Sequence, residues 1–122
     1  MTKGIILEKF GAPDVMKWRD VKLGKPKKGE AQIRHTAVGL NYIDVYQRNG
    51  LYPLQAPTGI GLEGAGVVKA IGAGVREVKV GDRVAYAGGP PGAYVEARNI
   101  PAAKLVKIPD GVTDNQAAAM ML

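Results

Sequence analysis

The segment between residues 41 and 52 carries the side chains of this sequence that are best suited to binding a small molecule. Asn41 can form hydrogen bonds through its amide, and it can equally cap the start of a helix. Tyr46 and Tyr52 can stack on a flat ring or donate a hydrogen bond to it, and ordinary packing of half-buried tyrosines is the alternative. Asp44 either orients these side chains or favours the first helical turn, and Arg48 is its natural ion-pair partner at i+4.

Residues for metal binding or acid–base chemistry are scarce elsewhere in the chain. The sequence has no cysteine, so neither a disulfide nor a thiolate metal site can form. Its one histidine, His35, lies in an alternating strand pattern. We expect His35 to be a structural residue of that strand, although the ordinary pKa of histidine permits proton transfer.

One glycine motif has the letters of a nucleotide-binding fingerprint but the wrong context. Residues 59–64 read GIGLEG, which matches G-x-G-x-x-G. That fingerprint binds pyrophosphate only when it follows a strand and opens a helix. Here a Pro-Thr pair precedes it and the strand-like run VVKAI follows. We therefore do not expect a phosphate cradle at these residues.

Frequent turn residues between short β-branched runs indicate a mainly β fold. The 122 residues include 17 glycines and 8 prolines, spread along the chain, and Gly81-Asp82 and residues 89–92 are strong turn sequences. The pattern predicts an all-β barrel or sandwich with few helices. We expect strands at residues 5–9, 16–21, 31–38, 64–71, 83–87, 93–97 and 105–108.

Two segments are predicted to be helical. Residues 41–49 begin at a capping asparagine and end before Gly50, which can adopt the left-handed conformation that terminates helices. Residues 114–122 start like a capped, alanine-rich helix and lack a terminating glycine or polar end. This second pattern suggests that the chain is cut inside a helix and belongs to a longer protein.

Charge and hydropathy exclude some classes of protein and leave one alternative open. The sequence has no apolar run of 18 residues, and Glu8 comes too early for the apolar core of a signal peptide, so we expect no membrane span and a cytoplasmic location. The net charge is +6, with the densest cluster at Lys22, Lys25, Lys27 and Lys28. We expect that cluster to be a solvated turn, and binding of RNA phosphates is the alternative.

Four segments together resemble one known family. They are FGAPDVM at residues 10–16, GLNYIDVYQRNGLYP at 39–53, GLEGAGVV at 61–68 and GDRVAY at 81–86. Their order and spacing resemble the N-terminal GroES-like domain of the quinone oxidoreductase, or zeta-crystallin, branch of the medium-chain dehydrogenase/reductase superfamily. The resemblance covers the whole chain. It implies a mainly β fold, a partly open barrel with a few short helices.

The same resemblance implies that zinc is absent. In the zinc-dependent members of the superfamily a cysteine ligand stands at the position of Asn41, and a histidine ligand at that of Leu62. An amide and an alkyl side chain cannot replace these ligands. Ile43 occupies a position that carries a proton-relay hydroxyl in the zinc enzymes. Glu63 is retained beside Leu62, where it either holds a loop or pairs with a basic residue of the absent domain, and we do not expect it to be catalytic.

The resemblance also implies which residues meet the cofactor. It places the segment formed by Tyr42, Ile43, Asp44, Val45 and Tyr46 beside the nicotinamide end of NADPH. Asn41, Tyr46 and Tyr52 are the implied catalytic residues, with Asn41 at the nicotinamide ribose or a substrate oxygen. The implied reaction is hydride transfer from NADPH to a quinone or a related conjugated carbonyl compound, with protons taken from solvent.

The resemblance implies a larger parent protein as well. Residues 1–122 would form its GroES-like catalytic domain, and a C-terminal Rossmann domain would hold most of the NADPH. The parent would be a homodimer, and the 122-residue chain alone would be inactive, with an exposed apolar patch where the second domain docks. Three alternatives remain: a zinc-free enone reductase, a single-stranded RNA-binding domain, and a free-standing GroES-like interaction module.

Overall fold

The computed structural model describes residues 2–122, which fold into eight β-strands and two α-helices. The strands are β1 (Thr2–Leu7), β2 (Met16–Val21), β3 (Glu30–Val38), β4 (Thr58–Gly59), β5 (Glu63–Ile71), β6 (Arg83–Ala87), β7 (Ala97–Pro101) and β8 (Val106–Lys107). The helices are α1 (Tyr42–Asn49) and α2 (Asp114–Ala117), with short 3-10 turns at Pro13–Val15 and Ala102–Lys104. No helix within residues 2–122 is both long and apolar enough to cross a membrane.

The strands form two antiparallel sheets that do not close into a continuous barrel. The first has the order β2-β1-β4, and the second has the order β7-β3-β5-β6-β8. An isolated bridge between Gly4 and Val95 joins them. A Cβ on Gly4 would lie 2.7 Å from Val95 Cγ2, so only glycine allows this close approach. The predicted mainly β, partly open GroES-like fold is confirmed.

The larger sheet supplies most of the hydrophobic core. β5 lies at its centre and pairs with β3 on one side and β6 on the other. Alternate residues of these strands point to one face and are buried there with residues of the flanking loops, as the period of two requires. That cluster comprises Ala31, Ile33, Val68, Val78, Val84, Tyr86, Ala93, Ile100, Ala102 and Leu105. The opposite face packs Ala65 and Ala85 against Ala117 and Ala118 of the α2 region.

The strand predictions were correct where apolar and polar residues alternate over a long run. The strands expected at 16–21, 31–38, 64–71 and 83–87 match β2, β3, β5 and β6 to within a residue. β1 begins at Thr2 and ends at Leu7 rather than covering 5–9, and the strand expected at 105–108 shrinks to β8. The two-residue β4 was missed because it is too short to show a period.

The strand expected at residues 93–97 is wrong. The strand there is β7, which begins only at Ala97. The preceding residues hydrogen-bond to several different segments instead of one neighbour: Tyr94 N–H donates to the Ile60 carbonyl, and the Tyr94 carbonyl accepts from Ile5 N–H. This segment links the two sheets, so its apolar character serves that junction rather than a regular ladder.

The helix expected through residue 122 is also wrong, because α2 ends at Ala117. Thr113 caps it, with its hydroxyl accepting from Gln116 N–H and the Gln116 side chain accepting from Thr113 N–H. Beyond Ala118 the backbone leaves the helix, and the N–H groups of Met121 and Leu122 donate to a side chain of another strand. The alanine content had suggested a longer helix, but these contacts decide the path.

Candidate functional site

Helix α1 forms where the sequence predicted it, and its ends explain why. Asn41 is the N-cap residue, and Asp44 Oδ2 accepts a hydrogen bond of 3.0 Å from the Asn41 N–H. Gly50 ends the helix with a φ of 90°, in the left-handed region. The two ends of the predicted helix and its cap are therefore confirmed. The capping contact fixes how the chain enters the helix and so where the side chains before it lie.

Asp44 is the buried anchor of this helix, with only 2% of its surface exposed. Tyr94 Oη donates to Asp44 Oδ2 over 2.5 Å, which ties α1 to the loop that joins the sheets. Burial first, and then the Asp44 carboxylate, raises the pKa of Tyr94 well above its usual value, so the phenol keeps its proton and remains a donor. No hydrogen-bond partner is present for Asp44 Oδ1 within residues 2–122.

The ion pair expected between Asp44 and Arg48 does not form. Arg48 Nη1 donates instead to the Gly11 carbonyl over 2.6 Å, and Gly11 N–H donates to the Arg48 carbonyl over 2.9 Å. Helix spacing allowed the pair, but the Arg48 guanidinium reaches the Gly11 carbonyl. Asp44 Oδ2 meanwhile accepts from Tyr94 Oη and the Asn41 N–H. Arg48 thus attaches the end of α1 to the loop after β1.

Three tyrosines form an exposed aromatic face on and beside α1. The rings of Tyr42 and Tyr46 stack at an angle of 24°, with centroids 6.5 Å apart. Tyr52 meets Tyr46 edge-on, at 5.3 Å and 63°. Tyr42 is 80% exposed and Tyr52 is 50% exposed, so this face offers ring surface to a ligand. The structure therefore brings together the three tyrosines singled out from the sequence.

The remaining predicted cofactor residues are on α1 but lie deeper. Ile43 and Val45 are half-buried and show no polar contact that would assign them a role. Gln47, which the sequence analysis passed over, is buried with its Oε1 atom lacking a donor within residues 2–122. Its spacing of three from Asp44 puts two oxygens without donors on neighbouring turns of the same helix.

The Asn41 side chain is held by Glu63. Asn41 Nδ2 donates to Glu63 Oε1 over 3.0 Å, and Glu63, at the start of β5, is 1% exposed. Leu62 beside it is buried and apolar. These three side chains do not fit a zinc ion. The Asn41 amide nitrogen faces a carboxylate, Leu62 has no ligand atom, and the Glu63 carboxylate already accepts from N–H groups. Within residues 2–122 no three His, Cys, Asp or Glu side chains group as metal ligands would.

His35 lies in β3, as expected, and is part of a partly buried hydrogen-bond chain. Its Nδ1 lies 2.7 Å from the Val95 carbonyl, which can only accept, so Nδ1 carries the proton. Its Nε2 lies 2.8 Å from Tyr86 Oη and accepts from that hydroxyl. Burial, with a smaller contribution from Arg98, lowers the pKa of His35 to about 4. A neutral His35 therefore has both nitrogens satisfied by the fold.

Other surfaces lie apart from the tyrosine face. The four clustered lysines are exposed in the loop between β2 and β3, as predicted. An open groove of about 840 Å³ runs between the two sheets, and none of the predicted site residues lines it. An apolar cavity of about 270 Å³ beside α2 is flanked by the exposed side chains of Val106, Met120 and Met121. These three side chains form an exposed apolar patch beside α2.

Comparisons with known proteins agree on one family. Residues 27–110 match the alcohol dehydrogenase GroES-like domain. The chain is 50% identical over 123 residues to a quinone oxidoreductase of Pseudomonas aeruginosa and 39% identical over 128 residues to a 2-haloacrylate reductase of a Burkholderia species, covering 100% of this chain and 38% of each relative. The chain thus spans little more than a third of the length of these relatives.

Solved structures give the same result. The quinone oxidoreductase of Pseudomonas syringae pv. tomato DC3000 superposes with a TM-score of 0.95 at 48% identity, covering 99% of this chain and 38% of that protein. The Escherichia coli quinone oxidoreductase complexed with NADPH has a TM-score of 0.95 at 41% identity, covering 100% of this chain and 37% of that protein. The fold around the tyrosine face is shared with these proteins.

Proposed function

Since the chain belongs to the alcohol dehydrogenase GroES-like domain family, we propose that it forms the substrate-side wall of an NADPH-dependent quinone oxidoreductase. The observation that carries this proposal is the exposed face of Tyr42, Tyr46 and Tyr52 beside Asn41. Stacked and edge-on tyrosine rings suit a flat conjugated ligand, and the neighbouring amide suits a ring oxygen or a ribose hydroxyl. The similarity to quinone oxidoreductases over the whole chain supports the same substrate class.

In this proposal the protein binds and orients the quinone and the nicotinamide, and the cofactor is the reductant. NADPH, when bound, supplies a hydride. Tyr46 and Tyr52 pack against the quinone ring, and the Tyr46 hydroxyl donates a hydrogen bond to a quinone oxygen. The segment from Tyr42 to Tyr46 flanks the nicotinamide. Asn41 donates its second amide hydrogen to the nicotinamide ribose or the substrate oxygen. The reduced quinone oxygens take protons from solvent, so no strong acid of the protein is required.

We propose that the reaction proceeds without zinc. A quinone is already electrophilic, so a metal ion is not needed to polarise its carbonyl groups. The donor set around Asn41 supports this proposal, because Leu62 is apolar and Glu63 is committed to N–H donors. Ile43 has no group that can relay a proton, so in this proposal proton delivery to the reduced quinone does not pass through this position.

The complete enzyme would need more than this chain. We propose that a Rossmann domain supplies most of the NADPH contacts and packs on the apolar patch beside α2, and that the parent is a homodimer. The isolated chain is then inactive and binds NADPH weakly. Isothermal titration of the 122-residue chain with NADPH tests the last point, and tight binding contradicts it.

Conjugated carbonyl compounds form a second candidate class of substrate. A relative that is 39% identical to this chain is named 2-haloacrylate reductase, and its structure superposes with a TM-score of 0.88. Its substrate, by that name, is a small conjugated acid rather than a ring. We propose quinones first, because the three tyrosines favour a flat ring, and conjugated carbonyl compounds second.

The test uses a fusion enzyme in which this chain replaces the aligned 123 residues of the Pseudomonas aeruginosa protein. Tyr46→Phe should lower kcat/KM for 1,4-benzoquinone about tenfold, the value of one hydrogen bond. Asn41→Ala should raise KM for NADPH or quinone by a similar factor. Trp18→Phe, an exposed aromatic on β2, is the matched control and should leave turnover unchanged.

The outcome decides between a binding site and a scaffold. If Tyr46→Phe and Asn41→Ala leave kcat and both KM values at the parental level, these residues serve only to build α1. If the fusion enzyme reduces 2-haloacrylate or enones faster than any quinone tried, the second substrate class replaces the first.

A further inference from the structure

Glu63 is buried between two segments that are far apart in sequence, and each of its oxygens serves one of them. Oε1 accepts from Asn41 Nδ2 over 3.0 Å. Oε2 accepts from Met121 N–H over 2.7 Å and from Leu122 N–H over 3.1 Å. One carboxylate therefore joins the residue that starts α1 to the segment of residues 118–122 that follows α2.

Gly39 packs closely against the Glu63 carboxylate and the Ala118 carbonyl. Gly39 N–H donates to the Glu63 carbonyl over 2.9 Å. A Cβ on Gly39 would lie 2.5 Å from Glu63 Oε1 and would collide with the Ala118 carbonyl oxygen. The φ of Gly39 is not in the left-handed region. Glycine is required here because three segments approach one another closely.

The charge of Glu63 makes this contact more than packing. None of the ion pairs within residues 2–122 includes Glu63, so N–H donors from the two segments compensate its buried charge. A buried carboxylate is costly unless donors surround it, and charge-assisted hydrogen bonds are about twice as strong as neutral ones. If the donors of the 118–122 segment withdraw, the carboxylate must reorient, and the Asn41 amide bound to it moves as well.

We propose that Glu63 is a positioning residue that couples the Asn41 side chain to the segment of residues 118–122. A shift of that segment, such as one imposed by a protein domain packed on the apolar patch beside α2, changes where the Asn41 amide points. The coupling itself stands on the geometry alone. Its consequence for turnover rests on the proposed function, because it acts through the proposed ligand contact of Asn41.

The direct test follows the Asn41 side-chain amide by ¹⁵N–¹H NMR in the 122-residue chain. Met121→Pro removes the N–H that donates to Oε2, whereas the control Met121→Ala keeps it and shortens a half-exposed side chain. We expect Met121→Pro to shift the Asn41 amide signals and Met121→Ala to leave them in place. Signals that stay unchanged in Met121→Pro, or that move equally in both variants, overturn the coupling.

A second variant tests whether Glu63 is the carrier. Glu63→Gln keeps the shape but replaces one acceptor oxygen by an NH2 group, so the side chain can no longer accept hydrogen bonds from both segments at once. In the Glu63→Gln background the further change Met121→Pro should no longer shift the Asn41 signals. An additive shift means that another route connects the segments. If Glu63→Gln does not fold, the proline and alanine pair still decides the proposal, because Glu63 is intact in both.

Kinetic measurements on the fusion enzyme test the coupling and the proposed function separately. In the fusion enzyme Met121→Pro should lower kcat/KM for quinone about as much as Asn41→Ala does, and should add little when the two are combined. Full additivity of the two losses contradicts a route through Asn41. If the fusion enzyme has no quinone reductase activity at all, the proposed function fails, and the NMR comparison still tests the coupling.

Discussion

Replacing His35 by asparagine should remove a pH dependence from the stability of this domain. His35 is the one histidine in the sequence, so it is the one side chain whose ordinary pKa lies between 6 and 7. In the folded chain its Nδ1–H donates to the Val95 carbonyl and its Nε2 accepts from the Tyr86 hydroxyl. A proton added to Nε2 would place a positive charge in a partly buried site near the Arg98 guanidinium, and burial is the larger reason that the pKa falls to about 4.

The sign and size of the effect follow from that pKa. Between pH 6.5 and 4 the unfolded chain is protonated at His35 and the folded chain is neutral. The stabilising contribution is therefore complete above pH 6.5 and is lost as the pH falls towards 4. A difference of about 2.5 pKa units corresponds to about 3 kcal/mol in total, of which about 2 kcal/mol is lost between pH 7 and pH 5.

Urea denaturation followed by circular dichroism at pH 5, 6 and 7 measures this loss. The free energy of unfolding of the parent should fall by about 2 kcal/mol more than that of His35→Asn between pH 7 and pH 5. The parent and His35→Asn have the same carboxylates, so the contribution of those groups to the pH dependence cancels in the comparison. Equal slopes for the two chains, or an NMR titration that gives His35 a pKa near 6.5, would refute the reasoning.

Two further predictions concern the supports of the site. Tyr94→Phe removes the hydroxyl that donates to buried Asp44 and should lower the free energy of unfolding by about 2 kcal/mol; an unchanged urea midpoint would show that the carboxylate finds another donor. Gly39→Ala drives a Cβ into the Ala118 carbonyl and should destabilise the chain by more than about 2 kcal/mol, whereas Gly24→Ala, which meets nothing within 4 Å, should change stability by less than about 0.5 kcal/mol. Equal effects of the two alanines contradict the packing argument.

Elements whose structure depends on residues close together in sequence could be predicted from the sequence. α1 follows from its capping asparagine, the acidic residue in its first turn and the glycine after its last turn, all within ten residues. The long alternating strands follow from burial of one face. The tyrosine face follows in part, since Tyr42 and Tyr46 are four residues apart and must share a side of the helix.

Features set by distant residues could not be predicted. Asp44 binds Tyr94, fifty residues away, instead of the arginine one turn along the helix. The backbone after α2 binds Glu63, whose side chain accepts from N–H groups 58 and 59 residues further on. Local propensity carries no information about such partners, so the expected ion pair and the expected long helix were both wrong. The unsatisfied oxygen of buried Gln47 also appears only in three dimensions.

We have proposed that hydride transfer at the tyrosine face needs no metal ion. Elemental analysis of the chelator-treated fusion enzyme, combined with its rate of NADPH-dependent benzoquinone reduction, tests it most directly. We predict full activity with far less than one divalent ion per chain. One tightly held ion per chain, with activity lost on its removal and restored by zinc, would contradict the account.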